Sequence, residues 1–122
     1  MTNPADLSIP DAAAALRAGT LTARALTQAV LDRIATLNPR LHAFTHVAPD
    51  ALDQADRADE MLGTGTDPGP LCGIPVGVKD LIDVAGQPAT SGSRVLAGRV
   101  AGTDAPAIAR LRAQGAVLIG KL

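Results

Sequence analysis

Residues 71–80 read LCGIPVGVKD, and their pattern of apolar residues, glycine and proline is the most informative in the chain. Apolar residues alternate from Ile74 to Val78, which is the spacing of a β-strand whose side chains point to opposite faces. Glycine and proline inside such a pattern indicate a bend or a close approach of another backbone. The sequence therefore predicts a buried strand that ends in a lysine, Lys79, at the edge of a core.

The chain before this strand is alanine-rich and mostly helical by its spacing of apolar residues. Serine, threonine and aspartate mark the helix starts, and glycine or proline marks the ends. The predicted elements are a helix capped by Ser8 and ended by Gly19, a helix capped by Thr22 and stopped by Asn38-Pro39, a strand over Leu41–Val47, and a helix opened by Pro49-Asp50 that runs to about Met61.

The chain after this strand predicts a loop, a helix and a second strand. The loop covers residues 85–94, and the helix is capped by Thr103 and ends near Gly115. Ala116–Ile119 is entirely apolar, as expected in a sheet that is covered on both faces. We therefore predict an α/β fold. This strand should need a neighbour on each side, and we expect those neighbours to be missing from this chain. We therefore expect the 122-residue chain alone to be marginally stable or prone to aggregation.

Composition argues against several classes of protein. Eleven basic and twelve acidic side chains give a formal charge of −1, which argues against nucleic-acid binding. Phe44 is the single aromatic residue, so no base-stacking platform is expected. Cys72 is the single cysteine, which indicates a reducing, cytoplasmic compartment. We expect no signal peptide, no membrane span and no cofactor.

Several motifs invite a chemical interpretation that their context opposes. Residues 115–121 spell the start of a phosphate-binding loop, but the intervening residues predict a strand and no hydroxyl residue follows. His42 and His46 have helical metal-ligand spacing in a predicted strand, so we expect no metal site. The remaining candidates are predicted to have structural roles only; they are Cys72, Asp80 and Asp83.

Lys79 is the candidate catalytic residue. One interpretation gives it no function: a lysine at the end of a strand with its ammonium in water. Residue spacing alone favours this interpretation. The functional interpretation is that partial burial favours the neutral amine, which can act as a general base toward a hydroxyl. The nearby loop Thr90–Ser93 contains hydroxyl groups, but the sequence does not fix their distance from Lys79.

The stretch from Gly69 to Ser93, with its G-I-P-V-x-V-K-D core, resembles the first conserved block of the amidase signature family. The helical stretch AGTLTARALTQAVLDRI and the closing APAIARLRAQGAVLIGK are also similar to that family's N-terminal part. The resemblance covers nearly the whole chain. It implies that residues 1–122 are the incomplete N-terminal part of a single domain: helices followed by the start of a mixed, helix-covered sheet, truncated.

The resemblance also implies a function. Family members cleave amides through a serine–cis-serine–lysine triad, and Lys79 matches the triad lysine. The nucleophilic and bridging serines and the oxyanion-binding turn lie downstream in the family, so we expect this chain to carry only the lysine and to be inactive alone. The implied partners are a small-molecule amide substrate and, in tRNA-dependent amidotransferases, other subunits; no membrane or direct nucleic-acid contact is implied.

Two other hypotheses stay open at this point. One describes the chain as a catalytically inactive binding module that pairs an open sheet edge with a partner, since the serines are absent. A weaker hypothesis makes Lys79 a Schiff-base nucleophile. The choice between a free amidase and a component of an amidotransferase is left open too.

Overall fold

The computed structural model describes residues 2–122. Four α-helices, three short strands and two 3-10 helices lie within these residues. The helices are α1 (Ile9–Ala18), α2 (Ala23–Leu41), α3 (Ala51–Gly63) and α4 (Pro106–Ala113). The strands are β1 (His46–Val47), β2 (Pro75–Val78) and β3 (Val117–Lys121), and the 3-10 helices cover Pro4–Asp6 and Arg94–Leu96.

Side-chain caps begin the first two helices, as predicted. The Ser8 hydroxyl accepts a hydrogen bond from the Asp11 N–H at 3.2 Å. The Thr22 hydroxyl accepts one from the Ala25 N–H at 3.0 Å. Gly19 ends α1 in the left-handed conformation with φ of 75°, which a glycine adopts without steric cost. The two caps satisfy N–H groups that a helix terminus leaves unpaired.

The prediction that Asn38-Pro39 stops α2 is wrong by one turn. Pro39 lies inside the last turn, and α2 ends at Leu41. Proline removes a single helical hydrogen bond at this position, and the Asn38 side chain fastens the chain beyond it. Its oxygen accepts from the Phe44 N–H at 2.8 Å, and its amide nitrogen donates to the Phe44 carbonyl at 3.0 Å. The strand predicted over 41–47 is consequently reduced to two residues, because Asn38 already binds the backbone at Phe44.

The predicted cap of α4 is also wrong. Residue Ala105 precedes the helix and makes no side-chain cap, and Pro106 occupies the first turn. The neighbour of Thr103, Asp104, has the larger role, because it accepts a hydrogen bond from the Ala85 N–H at 2.8 Å and pairs with Arg112. Asp104 therefore ties the loop after β2 to α4.

The sheet is mixed, with strand order β1-β3-β2. The β2 and β3 strands are parallel, and the register places Val78 opposite Lys121. The β1 and β3 strands are antiparallel, with His46 opposite Lys121. The expectation that the neighbours of β3 are missing is therefore wrong, since β2 pairs along one side of it and β1 pairs with Gly120 and Lys121 on the other side. The sequence predicts a strand that includes β1, within Leu41–Val47, but local spacing does not show that this strand pairs with β3.

Apolar residues cover both faces of the sheet. One cluster joins the first three helices to the sheet through small side chains such as Ala23, Ala55 and Ala58, and it includes Val117 and Ile119 of β3. A second cluster covers the opposite face and consists of Val78, Val84, Ile108 and Leu118. The alternation of β3 between the two clusters confirms the prediction of a strand covered on both sides.

Candidate active site

Lys79 directly follows β2, and its side chain is exposed. The functional interpretation of Lys79 as partly buried is therefore wrong, since its side chain is exposed within residues 2–122. The physical reason is that the strand stops at Val78 and the chain turns, with the Ile82 N–H donating to the Lys79 carbonyl at 3.0 Å. The turn directs the next residue, Asp80, into the protein while Lys79 faces outward.

The backbone around Lys79 is fixed by the end of β3. The Leu122 N–H donates to the Val78 carbonyl at 2.8 Å, and the Asp80 N–H donates to the Leu122 carbonyl at 2.7 Å. These bonds hold the peptide groups on both sides of Lys79. The exposed side chain of Lys79 is thus attached to backbone that is held in place at the end of β2.

A buried polar cluster adjoins this point and consists of Asp80, Thr90 and Lys121. Asp80 is 6% exposed and Lys121 is 0% exposed. The Thr90 N–H donates to the Asp80 carboxylate at 3.0 Å, and the Thr90 hydroxyl donates to its other oxygen. The Lys121 ammonium lies 3.9 Å from the Asp80 carboxylate and donates to the carbonyls of Ile82 and Pro88 at 2.6 and 2.9 Å.

The surroundings of this cluster shift both pKa values downward. Burial opposes ionisation of Asp80, but the hydrogen bonds from Thr90 and the charges of Lys121 and Lys79 outweigh it, so the pKa of Asp80 is held below its ordinary value. Burial lowers the pKa of Lys121, and the nearby carboxylates of Asp80 and Asp83 partly counteract this. The cluster is thus a buried ion pair completed by neutral donors and acceptors.

The loop Thr90–Ser93 lies against the same backbone. The Ser91 N–H donates to the Asp80 carbonyl at 2.8 Å, and Ser91 takes a left-handed conformation with φ of 52°. The Thr90 hydroxyl is used by Asp80, and the Ser93 hydroxyl accepts from the Val95 N–H at 3.2 Å. Thr90 and Ser93 therefore have structural partners, and the loop supports the turn that carries Lys79.

Comparison with known proteins decides the family. A family model described as Amidase matches residues 25–122. The chain belongs to the amidase family.

Amidase relatives match the chain along its whole length. A subunit of the glutamyl-tRNA(Gln) amidotransferase from Chloroflexus aurantiacus is 49% identical over 123 residues, which cover 100% of this chain and 25% of that protein. The corresponding protein of Salinispora arenicola is 43% identical, covering 99% of this chain and 25% of the relative. This amidase chain therefore spans about a quarter of the relatives that it matches.

Solved amidase structures share the fold. The peptide amidase from Stenotrophomonas maltophilia superimposes with a TM-score of 0.90 and 42% identity, covering 96% of this chain and 24% of the peptide amidase. An amidase family protein from Bacillus anthracis gives a TM-score of 0.86 at 28% identity, covering 95% of this chain and 24% of that one. The α/β fold inferred from the sequence is thus confirmed.

Of the other sequence candidates, Asp80 belongs to the buried cluster beside Lys79, and Cys72 and Asp83 do not join that cluster. Cys72 is fully buried, and burial raises the pKa of its thiol, which fits a packing role. Asp83 pairs with Arg99 at 2.8 Å near the surface. Residues 2–122 contain no group of three histidine, cysteine, aspartate or glutamate side chains placed to hold a metal ion. Across the same residues, every helix is too short or too polar to cross a membrane.

Lys121 is the residue that the sequence reasoning missed. It completes the motif that resembled a phosphate-binding loop, and the structure places it within β3, which confirms the rejection of that loop. A signal was present in the apolar run of residues 116–119, because β3 continues from it through Lys121, whereas β2 ends before Lys79. Burial of a lysine requires partners, and the turn after β2 provides them.

Proposed function

We propose that this chain is part of an amidase and that Lys79 is the base of its serine–cis-serine–lysine triad. The observation that carries the proposal is the placement of Lys79: an outward-facing amine on a backbone held by Leu122 and the turn to Asp80. Family membership supports the same assignment, because the matched region of the family model includes this strand and turn. The two serines would come from chain segments outside these residues.

The chemistry assigns a proton path to Lys79. When deprotonated, the Lys79 amine accepts a proton from the bridging serine, which in turn accepts the proton of the nucleophilic serine. The nucleophile's oxygen bonds to the amide carbonyl carbon, and the C–N bond breaks as the nitrogen leaves as ammonia or an amine with a proton. Water then hydrolyses the acyl-enzyme by the reverse path. Proton exchange requires that the Lys79 amine be held in position, and the backbone hydrogen bonds on both sides of Lys79 fix the residue from which it extends.

The test uses the polypeptide that carries this segment, expressed from its natural gene with any residues that follow Leu122. Lys79→Ala should lower kcat for carboxamide hydrolysis by about 10²–10⁴-fold, the usual contribution of a general base. Lys79→Arg should be equally impaired, since a guanidinium stays charged. The matched control is Arg110→Ala, an exposed cation on α4, which should retain activity. Near-normal turnover by Lys79→Ala would reject the assignment.

The relatives suggest two settings for this reaction. They include a peptide amidase and a component of an amidotransferase. We propose the amidotransferase setting first, because the identity to the Chloroflexus aurantiacus protein is 49% over the whole chain. A free amidase is favoured if the purified polypeptide alone hydrolyses a small carboxamide at the same rate as it does in lysate. Activity that requires co-purifying subunits would favour the amidotransferase.

The remaining expectations are part of this proposal. The single cysteine is buried and unpaired, which suits a reducing, cytoplasmic compartment. The competing hypothesis of an inactive module rests on the absent serines, and β3 does not supply its open edge, since β1 and β2 lie on either side of β3. Labelling by a serine-directed fluorophosphonate probe separates enzyme from module, because the module has no nucleophile to label.

A further inference from the structure

The ion pair beside Lys79 is unusual for a small alanine-rich core. Lys121 has the largest fully buried side chain in residues 2–122, and its charge partner Asp80 is also buried. A buried ion pair seldom stabilises a fold more than apolar side chains of the same volume would. The role of the pair at this position is therefore sought in the backbone geometry that it fixes, and not in the stability that it provides.

The geometry enforced is that of the turn after Lys79. The Lys121 ammonium binds the carbonyls of Ile82 and Pro88, which lie near the two ends of the segment between Asp80 and Thr90. The Asp80 carboxylate binds Thr90 through both the backbone N–H and the hydroxyl of that residue. The segment is thus closed into a loop whose ends are fixed to one buried cation and one buried anion.

The same two residues are attached to the Lys79 backbone. Asp80 shares a peptide bond with Lys79, and its N–H and carbonyl are bound by Leu122 and Ser91. Lys121 lies opposite Val78 in the register of β2 and β3, one residue before Lys79. Movement of either buried charge would therefore move the point from which the Lys79 side chain leaves the sheet.

We propose that Asp80 and Lys121 are positioning residues for Lys79, acting with Thr90 to hold the turn that presents its amine. The proposal rests on the function proposed above. Catalytic groups must be held within about 0.5 Å of their productive position by a supporting shell. A displacement of about 1 Å costs about 100-fold in rate. Loss of this cluster should accordingly slow the step that uses Lys79 without weakening substrate binding.

The experiment compares variants of the polypeptide that carries this segment with any residues that follow Leu122. The double variant Asp80→Asn/Lys121→Met removes both buried charges together, so neither is left unpaired. Thr90→Val removes the hydroxyl donor with little change in volume, and Thr90→Ser restores it. The matched control is Asp83→Asn, the same chemical change in the same turn region at a carboxylate that pairs with Arg99 near the surface.

Each variant is measured by fluorophosphonate labelling, by kcat and KM, and by the melting temperature. We expect the maximal labelling rate and kcat to fall at least about tenfold in the double variant and in Thr90→Val. The probe's half-saturation concentration and KM should stay within about twofold, and Thr90→Ser should recover most of the rate. Asp83→Asn should label like the wild type.

Four results would overturn the inference. One is a rate loss no larger than the loss of folded protein, and another is an equal loss in Asp83→Asn; either would assign the cluster a structural role only. If the double variant does not fold, wild-type labelling by folded Thr90→Val would be the deciding contrary result. A wild-type protein that neither labels nor hydrolyses amides would reject the proposed function itself, and this inference with it.

Discussion

Gln54 gives the sharpest stability prediction, because it completes the hydrogen bonding of the central strand. The β1 side of the sheet reaches as far as Ile119, whose carbonyl accepts from the Ala48 N–H at 2.8 Å. The residue before it in β3, Leu118, has no strand partner on that side within residues 2–122. The Gln54 amide binds there, accepting from the Leu118 N–H at 2.9 Å and donating to its carbonyl at 3.3 Å. A buried helix side chain thus replaces a missing strand.

Gln54→Met removes both hydrogen bonds to Leu118, and the one that the Gln54 amide donates to Asp50 at 3.0 Å, while keeping an unbranched side chain of similar length. A buried N–H or carbonyl that loses its partner costs about 1–3 kcal/mol. The longer bond to the Leu118 carbonyl counts at the low end of that range, so the two losses together come to about 2–4 kcal/mol. Burial of the apolar thioether returns about 1 kcal/mol. We therefore expect a net loss of about 1–3 kcal/mol in the free energy of unfolding.

The measurement is urea unfolding of the polypeptide that carries this segment with any residues that follow Leu122, monitored by circular dichroism, with amide exchange of Leu118 as a local readout. The control is Gln28→Met, which makes the same change at an exposed helical glutamine that donates to Asp32. That control should change stability by less than about 0.5 kcal/mol. Equal stability of the two variants, with Leu118 exchange as slow as in the wild type, would refute the reasoning.

Two further predictions concern the backbone and an ion pair. Gly115 has φ of 80°, and a Cβ there would lie 2.9 Å from the Cys72 sulfur. Gly115→Ala should therefore lower the free energy of unfolding by more than about 1 kcal/mol. The control Gly98→Ala should not, because a Cβ at Gly98 meets nothing within 4 Å. The hydrogen bond from Arg112, with that of the Ala85 N–H, lowers the pKa of Asp104, so its stabilisation of about 1 kcal/mol is present above the unfolded-state pKa and is lost as pH falls through the folded-state pKa. The melting-temperature difference between wild type and Asp104→Asn should therefore be present near neutral pH and vanish in acid; a difference that persists in strong acid would contradict this.

The elements that could be predicted are those with strong local signals. Ser8, Thr22 and Gly19 mark helix ends through their own side chains or backbone freedom, and the structure confirms all three. The alternation before Lys79 predicted β2 in the same way. The errors fell where a distant contact decides the outcome. The side chain of Asn38 binds the chain beyond α2, and no local rule for proline includes that contact.

The candidate site shows the same division more clearly. Lys79 was identifiable because its motif is local, but its exposure depends on a turn that Lys121 holds from across the sheet. Lys121 completes the motif that resembles a phosphate-binding loop; the strand context correctly excludes that loop, but it does not show that the lysine is buried with partners of its own. A buried strand that ends in a lysine has to place that ammonium somewhere. The position opposite Val78 puts it beside the buried aspartate of the turn. Residues 117–121 and 79–90 are therefore best interpreted as one unit, in which the second strand supplies the cation that shapes the end of the first.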